Sequence, residues 1–208
     1  MNISNLATHR PVGFVLVLAI IWIVLLLVFM GIASTVFHTP YGGTRAASIG
    51  RLAVTACVLF LAWRLDWLKA SGIFKLGSWQ VWLLALGGLV YFASASLYSF
   101  YGRIAFDFLS LLRLPDARTV ATTHFMAGLS EEILFRGLVL YALIRVWGNT
   151  TQGILGSVLL ASALFALVHI TQVFTNGAPL SSALLLVLQA FVISTWWGAL
   201  NAARMRSV

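Results

Sequence analysis

Six long apolar stretches govern what this chain can fold into. They run, within a few residues at each end, over 12–35, 46–63, 79–101, 119–147, 153–173 and 181–201. A hydrocarbon core about 30 Å thick is crossed by about 20 apolar residues in helical form. Backbone groups inside it must find hydrogen bonds within their own segment. Each stretch is therefore expected to form a transmembrane helix, and the fold class is all-α: a polytopic membrane bundle of about six helices. The second stretch is short, whereas the fourth is long enough to tilt or protrude. With 61% hydrophobic and 9% charged residues, the composition lies far from that of a soluble domain. The first stretch is longer than the apolar core of a signal peptide, so it reads as a retained anchor.

The formal charge is +8, but the Lys and Arg residues are scattered through short connections and form no basic run. That distribution argues against nucleic acid and fits contact with a lipid bilayer. The loop bias weakly favours both termini on the inside. Trp63, Trp67, Trp79, Trp82, Trp147, Trp196 and Trp197 sit near span ends, as interfacial anchors do. The stretch 103–113 is expected to be a short helix at the interface or an ordinary connection. The single cysteine, Cys57, allows no internal disulfide and is expected to be a small buried hydrophobe.

Chemistry concentrates in the fourth span. The chain has only five acidic residues, and two of them, Glu131 and Glu132, are adjacent within it, followed by Arg136. Ionisable groups at membrane depth are costly and mark function by default. Residues four apart share a helix face, so Glu132 is expected to pair with Arg136. Glu131 points elsewhere without that partner, which makes it the candidate general base for a water molecule. In the following span Phe165 and His169 also stand four apart. An imidazole there is placed to hold the same water or steady an oxyanion. Each element alone is more simply a structural ion pair or a satisfied core histidine; together, in consecutive spans, they point to a site. His124, two turns before Glu131 on about the same face, either lines the same cavity or sits near the head groups. Glu131, His169 and His124 are also potential zinc ligands, but no His-Glu-x-x-His spacing is present, and metal is the minority reading.

These residues resemble a known family, the CAAX protease and bacteriocin-processing (CPBP or Abi) intramembrane peptidases. Glu131-Glu132-x-x-x-Arg136 resembles its EExxxR motif and Phe165-x-x-x-His169 its FxxxH motif, over about the last 80 residues. The resemblance implies an integral membrane endopeptidase of the prokaryotic cell membrane, using no cofactor and no obligatory metal. Its substrate would be a membrane-associated peptide or protein. Glu131 would activate water, His169 would be an essential partner, and Glu132 with Arg136 a supporting pair. On this reading residues 118–208 form a partial catalytic core and 1–117 carry membrane helices without a recognised motif, all in one membrane domain.

The family's third motif, a histidine followed four residues later by Asn or similar, is expected on a helix beyond the sixth span. No histidine follows His169, and Asn201 is a poor substitute for it. Hence the alternative: a catalytically impaired member that binds a peptide or partner as a membrane scaffold or bacteriocin immunity protein. A proton-coupled transporter, which also uses buried Glu, Arg and His, is disfavoured by the two motifs and by the lack of paired broken helices.

Overall fold

The structure, a computed structural model, describes residues 7–38, 44–71, 83, 86, 127–171 and 179–206. All regular elements among these are helical. Helix α1 spans Pro11–Val36 and α2 spans Thr44–Arg64. Helix α3 covers 127–147, with a π-helical segment at Glu132–Val139 and a regular part at Leu140–Trp147. Helix α4 spans Thr151–Val168 and tightens into a 3-10 turn at His169–Thr171, and α5 spans Leu180–Arg206. Four segments are long and apolar enough to cross a membrane: Pro11–Val36, Ala46–Arg64, Thr151–Val168 and Leu180–Ala203. The chain is an integral membrane protein. The expected span at 79–101 lies outside the described residues apart from Leu83 and Leu86, as do the stretch 103–113 and the first part of the fourth span.

Helix ends follow local chemistry. Proline opens α1, where its missing N–H costs nothing. The Thr150 hydroxyl accepts from the Gly153 N–H at 3.0 Å and caps α4. Helix α2 closes with Asp66 in the left-handed region at φ 60. There the Asp66 N–H donates to the Trp63 carbonyl and the Trp67 N–H to the Ala62 carbonyl, a Schellman closure. It swings Trp67 back over the bundle, against Phe14 at 5.9 Å and Tyr141 at 5.2 Å between ring centroids. Trp67 is thus a core residue, 2% exposed, rather than an outward-facing anchor.

Helices α1 and α2 pack on one another, as do α4 and α5, and α3 lies between the pairs, touching α1, α2 and α4. Small residues permit these close approaches, as expected where lipid gives helices no hydrophobic reason to associate. A Cβ on Gly50 would sit 2.7 Å from Met30 Cγ and 3.0 Å from the Met30 backbone nitrogen, so α1 and α2 meet there almost backbone to backbone. On α5 the buried Ala190, Ser194, Gly198 and Ala202 recur every fourth position. A Cβ at Gly198 would lie 3.1 Å from Val158 of α4.

The core joins Phe14, Val15 and Trp22 of α1 to Leu134, Phe135, Leu138 and Leu143 of α3. Outward faces of α1 and α5 remain apolar, including Val17, Ile20, Val24, Leu185 and Leu188. Such faces suit acyl chains. Cys57, expected in the core, is exposed on α2, where it borders an apolar cavity of about 50 Å³ also lined by Leu18, Trp22 and Leu134.

Candidate active site

The glutamate pair sits where α3 changes its winding. Glu131 has regular helical dihedrals, φ −69 and ψ −43, and the π-helical segment begins at the next residue. It closes with the Leu140 N–H donating to the Phe135 carbonyl, five residues back. Sequence spacing predicts a regular α-helix here, and the difference matters. Segments of π-helix inside α-helices insert an extra residue per turn and frequently occur at functional sites. Here the extra residue changes the direction in which the acidic end of α3 faces, relative to its anchored C-terminal half.

The expected ion pair is present. Arg136 Nη1 lies 2.7 Å from Glu132 Oε1, with side chains 7% and 50% exposed respectively. The guanidinium is therefore the buried partner and the carboxylate the exposed one. Arg136 also stacks on the Phe165 ring, its Cζ 5.0 Å from the centroid, a cation–π contact that gains strength when desolvated. Neither its Nε nor its Nη1 has a hydrogen-bond acceptor among the described residues, Nη1 meeting Glu132 as an ion pair only. Stacking and one carboxylate thus leave this charge only partly compensated, which makes Glu132 its principal support.

His169 occupies the end of α4. Its Nδ1 lies 3.1 Å from the Phe165 carbonyl oxygen. A carbonyl can only accept, so Nδ1 carries the hydrogen, and Nε2 of the neutral ring presents a lone pair. The imidazole is half-buried and meets the Phe165 ring edge to face at 4.9 Å and 65°. Phe165 therefore touches both Arg136 and His169, and it joins the two motifs through side-chain contact.

Glu131 is partly buried and lies within the electrostatic reach of two guanidinium groups, Arg136 on its own helix and Arg51 on α2. Arg51 is not among the candidate site residues of the sequence, which treats the arginines outside the motif only as scattered charges. The usable signal is its depth, since it falls inside the apolar stretch 46–63 rather than beside it. The Thr55 hydroxyl donates to the Arg51 carbonyl at 2.7 Å, so that part of α2 satisfies its own polar group within the helix.

His124, the remaining candidate, lies outside the described residues. Asn201 is occupied within α5, its Nδ2 donating to the Trp197 carbonyl at 3.1 Å. Among the described residues no three His, Cys, Asp or Glu side chains gather as metal ligands do.

Residues 114–208 match the family described as Rce1-like, type II CAAX prenyl endopeptidase. The matched segment contains both motifs and starts some residues earlier than the motifs alone suggest. The match agrees with the family resemblance read from the sequence, for this part of the chain. No curated protein and no solved structure matches the chain.

Proposed function

We propose that this protein is an intramembrane endopeptidase of the CAAX-protease-like type, seated in a prokaryotic cell membrane and cutting a peptide bond close to the bilayer. The match of residues 114–208 to the CAAX prenyl endopeptidase family supports the reaction class. The observation that supports grouping these residues in one site is the contact chain from Glu132, the neighbour of Glu131, through Arg136 and Phe165 to His169. It brings the helix that bears the glutamates into side-chain contact with the helix that ends at His169.

In this reading Glu131 takes a proton from a water molecule, and the water oxygen bonds to the scissile carbonyl carbon as the carbonyl electrons move onto oxygen. The neutral His169 ring accepts a hydrogen bond from that water through Nε2. The proton taken by Glu131 stays on its carboxyl while the oxyanion forms. Collapse of the tetrahedral intermediate breaks the C–N bond, and the departing amine receives the proton. Glu132 neutralises the buried Arg136, which in turn supports Phe165 and hence the imidazole.

The family's name makes a prenylated peptide ending in Cys-aliphatic-aliphatic-X the first substrate to test. With a farnesylated peptide of that form in proteoliposomes, Glu131→Gln and His169→Ala are each expected to abolish cleavage while the protein accumulates and folds. Cleavage retained by either variant sinks the assignment. A protein that binds the peptide equally well with and without Glu131→Gln, and never cuts it, would instead be a non-catalytic scaffold.

A further inference from the structure

Helix α1 carries neither motif and lies wholly outside the segment matched by the endopeptidase family, yet it reaches the candidate site. Trp22 of α1 is 3% exposed and meets Phe135 edge to face, with centroids 6.0 Å apart and an interplanar angle of 72°. Phe135, 1% exposed, meets Phe165 in the same manner at 5.4 Å and 78°. Phe165 then meets His169 at 4.9 Å and 65°. Three successive edge-to-face contacts thus run from the first helix to the imidazole.

We infer that Trp22 and Phe135 are positioning residues for His169, acting through Phe165 to hold the imidazole in the orientation that turns Nδ1 to the Phe165 carbonyl and Nε2 away from it. The inference rests on His169 taking part in the reaction proposed above. Edge-to-face pairs are directional, since the positive rim of one ring is drawn to the negative face of the next. Each contact therefore restricts tilt as well as filling space. His169 needs such restraint because it stands where α4 ends and the backbone tightens into a 3-10 turn. Its Nδ1 hydrogen bond goes to the carbonyl of Phe165 itself, so one residue sets both the ring's stacking and its tautomer. Phe165 in turn is held by Arg136 and Phe135, consecutive residues of α3. Phe135 is fixed by Trp22, which sits on a separate helix.

A role confined to core packing predicts lost stability and an unchanged imidazole. Nitrogen-15 spectra of the histidine rings of the full chain in micelles separate the two, with the His169 signals assigned by their loss in His169→Gln. In the wild type Nδ1 is expected to carry the hydrogen and Nε2 the lone pair. Trp22→Leu is expected to populate the opposite tautomer and to lower kcat on the farnesylated peptide by up to roughly 10²-fold, with KM little changed. Trp22→Phe, which keeps an aromatic edge, is expected to restore both. Phe135→Leu should reproduce Trp22→Leu and serves if that variant fails to fold. Val15→Ala, at a fully buried position of the same helix with no part in the contact chain, should lower the melting temperature and leave the tautomer alone. An unchanged tautomer in folded Trp22→Leu and Phe135→Leu overturns the inference. So does an equal change in Val15→Ala. A wild type that cuts no peptide while Trp22→Leu still moves the imidazole upholds the positioning role and removes the endopeptidase reading.

Discussion

Arg136 is the residue on which the candidate site turns. Its side chain is 7% exposed and its carboxylate partner is 50% exposed, so the two ends of the pair respond differently to mutation. Glu132→Ala removes the ion-pair partner of a buried guanidinium and leaves it the Phe165 ring and the field of Glu131, at a cost of roughly 1–3 kcal/mol. Glu132→Gln keeps an acceptor in place and is expected to lose less. Thermal unfolding of both variants in detergent checks this order, and equal melting temperatures for Glu132→Ala and the wild type would show that the ion pair contributes nothing. This pairing was legible in the sequence, because a spacing of four brings two helical side chains together regardless of what surrounds them. The role of Phe165 was legible only as a motif letter. That its ring lies against Arg136 and His169 at once follows from the packing of α3 on α4, which no local spacing encodes.

At the scale of the element, the π-helical segment Glu132–Val139 is the main departure from expectation. Its hydrogen bonds span five residues instead of four, so removing one residue should let the segment close as a regular α-helix. The C-terminal half of α3 is anchored by Tyr141 against Trp67 and by the buried Leu140, Ala142 and Leu143. The acidic end is then the part that turns, by about 100° for one residue. Deleting Gly137 is accordingly expected to abolish cleavage while leaving helical content and membrane insertion intact, as read by circular dichroism and membrane fractionation. Full activity in that deletion would mean that the facing of Glu131 does not matter. Sequence periodicity missed the π-helix because Ile133, Leu134, Phe135, Gly137, Leu138 and Val139 are apolar and all buried, so neither winding leaves a mismatched face to betray it.

For the molecule as a whole, the apolar residues left outside on α1, α2 and α5 require a bilayer or detergent around the bundle. The protein should remain with the membrane fraction through high-salt and alkaline carbonate washes and be released by detergent alone. Release by salt would contradict the spanning reading. The sequence by itself determined that the chain is helical and membrane-embedded, because a backbone in hydrocarbon has no other way to satisfy its hydrogen bonds. It also singled out the candidate site residues, since Glu131, Glu132, Arg136 and His169 stand out against apolar surroundings. Which faces turn inward was decided only by the tertiary structure: Cys57 went outside, Trp67 went into the core, Arg51 came within electrostatic reach of Glu131, and Trp22 was brought to the far end of a contact chain leading to His169. Lipid tails are as apolar as a protein interior, so hydrophobicity distinguishes membrane from water but not core from lipid, and that second choice belongs to the packing of one helix against another.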